Sequence, residues 1–179
     1  MSEIDKLKQI KTLFDDLFMP SLNTCLVYGA EEPFYKAADA HHPAQIMSRH
    51  DYLSSALHEI AHWCIAGKQR RLQDDFGYWY EPDGRSNQQQ ALFEQVEVKP
   101  QAVEWALAIA CCHRFHLSAD NLGQQAKPSE SFHQAVVAQL QEYWHNGLPE
   151  RAQQLFEALL GVFRQGKQPL LTHQLLEQV

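Results

Sequence analysis

The sequence predicts a mainly α fold with a few short strands, an α+β class, on three observations. Long stretches place apolar residues at i, i+3, i+4 and i+7, glycines and prolines fall where those stretches would stop, and only short runs have an extended pattern. The 179 residues, 45% of them hydrophobic, suffice to bury one substantial core, so a single domain over 1–179 is expected. No solenoid-like repeat and no low-complexity tract interrupts it.

In chain order, Ile4 to Phe18 keeps helical spacing through Leu7, Ile10, Leu13, Phe14, Leu17 and Phe18, with Pro20 expected to close the element. Asn23 to Tyr28 reads as a short strand stopped by Gly29, and Glu31 to Tyr35 as an extended segment around Pro33. His41-His42-Pro43 falls in a loop, where surface histidines are the expectation. From Leu53 the residues Ala56, Leu57, Ile60, Ala61, Cys64 and Ile65 form one continuous apolar stripe, with Ser48 or Asp51 as the expected cap and Gly67 as the expected left-handed stop. Asp75 to Tyr80 packs four aromatics into six positions before the turn Glu81-Pro-Asp-Gly84. Ser86 to about His113 is a long helical stretch in which Pro100 implies a kink or two abutting helices. Ser118 to Gly123 is a turn, and Ser129–His145, Pro149–Gln165 and Thr172–Val179 read as three more helices with Gly147 and Gly166 as stops.

Composition narrows the function classes. The amino terminus is charged from its first residues and no apolar run approaches the roughly 20 residues that span a bilayer, so a cytoplasmic protein with no membrane partner is expected. Four cysteines, two of them adjacent at Cys111-Cys112, are too few and too irregular for a disulfide framework. A net charge of −7 argues against a broad phosphate-binding surface, so direct nucleic-acid binding is not expected. One local basic cluster stands out: Lys68, Arg70 and Arg71, with Arg85 and Lys99 as further candidates. Cations there suit a helix C-terminus or a docking surface.

The chemistry centres on His58-Glu59-Ile60-Ala61-His62, an H-E-x-x-H motif on the striped helix. Residues four apart on an α-helix lie one above the other, so the two imidazoles can aim at one cation. Later in the chain Glu94 and Glu97 share a helix face, and Glu97 lies between Val96 and Val98, where a carboxylate is costly unless it meets a cation or a metal. A helix with two histidines packed against a second helix carrying a carboxylate would be a zincin-like arrangement. Two histidines and one carboxylate leave positions open on the ion and suit two chemistries. With zinc, Glu59 is the general base of a metallopeptidase; with ferrous iron, the set is the facial triad of an oxygenase. The metzincin extension is absent, since Gly67 stands five positions after His62 and no third histidine follows. Spacing alone favours the peptidase.

Three blocks reverse that order. His58-Glu-Ile-Ala-His-Trp-Cys-Ile-Ala-Gly-Lys68, Asp75-Phe-Gly-Tyr-Trp-Tyr-Glu-Pro-Asp-Gly-Arg85 and Phe93-Glu-Gln-Val-Glu-Val-Lys-Pro-Gln-Ala102 resemble the signature blocks of the bacterial elongation factor P hydroxylases. Glu32-Pro33, Asp120-Asn121-Leu122 and Asn146-Gly147-Leu-Pro-Glu-Arg151 fit the same pattern, so the resemblance covers about residues 23 to 151. It implies a cytosolic, iron-dependent enzyme that hydroxylates the β-lysylated lysine of elongation factor P with dioxygen. It further implies His58, His62 and Glu97 as the metal ligands, with zinc or another divalent ion able to occupy the site in a purified form. Glu59 then holds a ligand or a water, or shuttles a proton. No Arg-x-Ser signature of 2-oxoglutarate binding is recognisable, which leaves the electron donor unassigned. Elongation factor P is acidic in the general run of its family, so Arg70, Arg71 and Arg85 are the expected docking cations on this acidic chain, and Tyr78 and Tyr80 the expected walls for the long modified side chain.

Overall fold

The structure is a computed structural model and describes residues 1–50, 52–75, 86–119 and 128–177. The first helix, α1 (Glu3–Leu22), starts with a capping box in which Ser2 and Asp5 satisfy each other's backbone N–H groups. It runs through Pro20 instead of ending there. The stop is Asn23, whose left-handed backbone (φ 47°) lets its N–H reach back to Met19. A proline near a C-terminus removes a single bond from the ladder, and the residues beyond it here still close the last turn.

Three strands follow: β1 (Thr24–Ala30), β2 (Phe34–Lys36) and β3 (Ala44–Arg49), in the order β1-β3-β2, with β1 parallel and β2 antiparallel to β3. The expected strand and the expected extended segment are thus β1 and β2, although β1 runs through Gly29 to Ala30 instead of stopping there. The central strand β3 has no counterpart in the sequence reading. As an edge, β1 exposes the backbone of Leu26, and α1 covers it: Asp15 accepts from the Leu26 N–H at 2.9 Å and Lys11 donates to the Leu26 carbonyl.

The next helix, α2 (Leu53–Ile65), carries the H-E-x-x-H motif. Its stripe is buried as the period requires, with Leu53, Ala56, Leu57, Ile60 and Ala61 all at 0% exposure. Each fully buried leucine or isoleucine there contributes about 1.5–3 kcal/mol. The caps differ from expectation. Ser48 is buried in β3, Asp51 lies outside the described residues, and Gly67 is not left-handed. Glu3 from α1 accepts the Leu53 N–H at 3.3 Å, and Arg151 donates to the carbonyls of Trp63, Cys64 and Ala66 at 2.6–2.8 Å. A carboxylate at the N-terminus and a guanidinium at the C-terminus both suit the helix dipole.

After α2 a 3-10 turn, Arg70–Leu72, leads back to the sheet, where Tyr35 and Asp75 exchange backbone bonds. Then α3 (Asn87–Ala110) opens on a Ser86/Gln89 capping box and continues through Pro100 as one helix, so of the two expected outcomes the pair of abutting helices does not form. From Ala102 to Cys111 every residue is buried, because α2, α4 (Glu130–Asn146) and α5 (Glu150–Arg164) all pack on it. Pro149 is the cap of α5, one position before its expected place, and a short α6 (His173–Leu176) follows Thr172. One continuous apolar cluster joins α1, the sheet, α2, α3, α4 and α5. The four cysteines are free thiols.

Candidate metal centre

The centre lies where α2 crosses α3. His58 and His62 stand one turn apart on α2, ring centroids 4.6 Å from each other. Facing them, α3 presents Glu97, Gln101 and Glu104 at i, i+4 and i+7, a single helical face. These are buried polar residues, with exposures of 3%, 1% and 7%, on the face that α3 turns to the core. Carboxyl groups so far from water need partners, and the imidazoles are those partners.

The distances define a common point. His58 Nε2 and His62 Nε2 are 3.0 Å apart, Glu97 Oε1 is 3.2 Å from His62 Nε2, and Glu97 Oε2 is 3.8 Å from His58 Nε2. One ligand atom from each residue lies within 4.8 Å of the other two. Ligands bound to one transition ion at about 2.1 Å stand roughly 3.0–3.5 Å apart, so the three groups already sit near coordination spacing. Neutral imidazole nitrogen and carboxylate oxygen are also the donor types that zinc and ferrous iron accept. The residues therefore fit a divalent ion.

Further side chains hold this set in place. His58 Nδ1 lies 2.8 Å from Glu104 Oε2. Gln101 donates to Glu97 at 3.3 Å and is itself pinned by Ser118, giving an N–H bond to the Ser118 carbonyl at 2.8 Å and accepting from the Ser118 N–H at 3.0 Å. Burial alone would pull the His58 imidazole down. The hydrogen bond and charge of Glu104, followed by Glu97 and Glu59, outweigh it and hold the group up at about 10. Burial likewise pushes Glu97 up, but the His62 bond and the charges of both histidines hold it down at about 2. Glu59 is half-buried, and burial raises its carboxyl above the usual range against the opposing pull of His58 and His62.

The remaining candidates are placed differently. Glu94, three residues before Glu97, turns to α4, where it accepts from the Ser129 N–H at 3.1 Å and hydroxyl at 2.5 Å. Arg70 is half-buried and its Nε lies 2.5 Å from Asp75, while the Arg71 guanidinium stands 5.9 Å from the Trp63 ring centre. Both are engaged by their own chain, and Lys68 is the exposed member of that cluster. Tyr78, Tyr80 and Arg85 lie outside the described residues. His41 and His42 are exposed, as expected, and His42 pairs with Asp39. Sequence reasoning missed Gln101 and Glu104. The signal that singled out Glu97, a polar residue between large apolar neighbours, also marks Glu104 between Val103 and Trp105.

Two similarities to known proteins bear on this centre. The chain is 49% identical over 159 residues to the elongation factor P lysine hydroxylase of Haemophilus influenzae, covering 88% of this chain and 89% of that protein. Residues 13–174, which include every side chain of the centre and its supports, match the family described as Elongation factor P hydroxylase. The chain belongs to the elongation factor P hydroxylase family.

Proposed function

We propose that this protein hydroxylates the β-lysylated lysine of elongation factor P, as a non-haem iron enzyme that holds one ferrous ion with His58, His62 and Glu97. The observation that carries the proposal is the convergence of those three side chains, at near coordination spacing, in a chain of this family. The α2–α3 pair is then the zincin-like element of a single catalytic domain, and a cytoplasmic translation factor as substrate places the enzyme in the cytoplasm. The zinc peptidase alternative draws no support from either similarity.

A ferrous ion held by this two-histidine, one-carboxylate set would supply the dioxygen activation that hydroxylation of a C–H bond requires. The protein's own part is to arrange. Glu97 from α3 and the two imidazoles from α2 would hold the ion, with Gln101 and Glu104 bracing them from the buried face of α3. Glu59, next to His58 on α2 with its carboxyl raised by burial, would hold a ligand or a water in place or shuttle a proton there. Exposed Lys68 would steer the acidic substrate, with half-buried Arg70 and Arg71 adding to the local positive potential; the contacts expected of Arg85, Tyr78 and Tyr80 fall outside the described residues.

The test is a mass measurement on lysylated elongation factor P, incubated in air with ascorbate and protein loaded with ferrous iron or with zinc. The expected result is a gain of one oxygen atom with the ferrous form alone. Cleavage of unstructured peptides by the zinc form, with no oxygen gained by the factor in either, contradicts the proposal.

A further inference from the structure

On the reading that His58, His62 and Glu97 hold the metal, we infer that Glu104 is a positioning residue, which fixes the ring proton of His58 on Nδ1 and so commits Nε2 to the ion. Glu104 follows Glu97 by two turns of α3, and the two carboxyl groups straddle the His58 ring: Glu104 lies 2.8 Å from Nδ1, Glu97 3.8 Å from Nε2. A neutral imidazole carries one proton, and only the nitrogen without it can ligate. With Glu104 as acceptor the proton belongs on Nδ1, which leaves the Nε2 lone pair toward His62 Nε2 and Glu97.

Glu104 has no more economical explanation in the core. Its side chain is 9% exposed, it stands between Val103 and Trp105, and the partner observed for it is His58. A carboxyl group placed there for packing alone would be costly, and a leucine or methionine would serve better. His62 is supported in another way, by direct approach to Glu97 at 3.2 Å. Loss of Glu104 should therefore affect one imidazole of the pair.

The experiment uses zinc as a diamagnetic probe on the full chain, with nitrogen NMR of the histidine rings and zinc titration. In the wild type the His58 ring proton is expected on Nδ1 with Nε2 bound to zinc. Glu104→Ala is expected to weaken zinc binding about 10- to 100-fold and to remove the hydrogen-bonded Nδ1 proton signal. Glu104→Gln, whose amide oxygen still accepts, is expected to recover most of the affinity and to keep that signal. A wild-type spectrum with the His58 proton on Nε2 overturns the inference without any variant, and so does wild-type zinc affinity in both Glu104 variants. Should Glu104→Ala fail to fold, the wild-type spectrum and Glu104→Gln still decide. His58→Ala separates the two levels of the argument: zinc affinity retained there defeats the metal centre itself, whereas zinc lost there and kept in both Glu104 variants defeats the Glu104 role alone.

Discussion

The histidine helix meets buried charge at its end and along its side, and the two meetings are built differently. At the C-terminus of α2 the Arg151 guanidinium donates to three carbonyls and stands 4.8 Å from the Trp63 ring centre, so one cation answers the helix dipole and the unpaired acceptors of the last turn together. Along the side, two imidazoles face each other with Glu97 across from both and Glu104 behind one. In the first arrangement a cationic donor meets carbonyl acceptors. The second brings three lone-pair donors to one point, which hydrogen bonding alone does not require. Burial and charge are therefore common to structural and chemical sites; what distinguishes the centre is the convergence of like donor atoms.

The comparison breaks most visibly at the histidines. His58→Ala and His62→Ala should each reduce bound metal from one equivalent to near zero and abolish hydroxylation, and Glu97→Gln should do nearly the same, all read by elemental analysis after anaerobic loading with ferrous iron. Stability in the metal-free state should fall as well, because each of these changes leaves a buried charge of the cluster without its partner.

Arg151→Ala should separate the two effects. Losing a charged donor to three carbonyls is expected to cost on the order of 2–4 kcal/mol in urea unfolding. The folded fraction should still bind one equivalent of metal. A variant that unfolds no more easily than the wild type would remove Arg151 from the frame of α2.

Glu94→Ala sharpens the contrast on a single helix. It lies three residues from Glu97 but serves Ser129 at the start of α4, so its loss should cost about 1 kcal/mol and leave metal content intact. Metal lost from Glu94→Ala and kept in Glu97→Gln would exchange the roles assigned to the two glutamates.

The smallest effect concerns pH. His113 bonds Ser54 in the first turn of α2, and burial, with Lys6 and His116 in the same direction and Glu3 against, holds its imidazole below the usual value. The neutral form is the one the fold prefers. Its contribution to stability is therefore present above about pH 6.5 and is lost as pH falls from there toward the lowered folded value, where the unfolded chain takes up the proton first. Unfolding measured at pH 7.5 and 5.5 should show a smaller loss in His113→Gln than in the wild type; equal losses would count against it.

How much of this was legible in the sequence depends on how far a residue's partners lie along the chain. The stripe from Leu53 to Ile65, the i, i+4 histidines and the apolar neighbours of Glu97 are local signals, and the helix and the candidate ligands follow from them. Glu104 carries the same local signal as Glu97 and was overlooked because no motif names it. The caps of α2 were beyond reach, since Glu3 and Arg151 lie 50 residues before Leu53 and 88 after Trp63. Strand β3 escaped for a related reason: Ala44–Arg49 alternates buried and more exposed residues, but its small and polar members Ala44, Gln45 and Ser48 give little hydrophobic contrast, and its pairing depends on β1 and β2. The substrate contacts proposed for Arg70 and Arg71 need the most revision as test residues, because charge reversal there also breaks the Asp75 bond and the Trp63 contact. Lys68→Glu, at an exposed position, is the cleaner probe of steering, with a salt-dependent fall in the rate on intact elongation factor P as its expected readout.

The central claim, that one ion binds between α2 and α3, is tested most directly by crystals of ferrous-loaded protein and an anomalous difference map at the iron edge. The account predicts a single peak bonded at about 2 Å to His58 Nε2, His62 Nε2 and the Glu97 carboxylate, with Glu94 still on Ser129. A map with iron elsewhere, and the two imidazoles and Glu97 bonded only to one another, would contradict it.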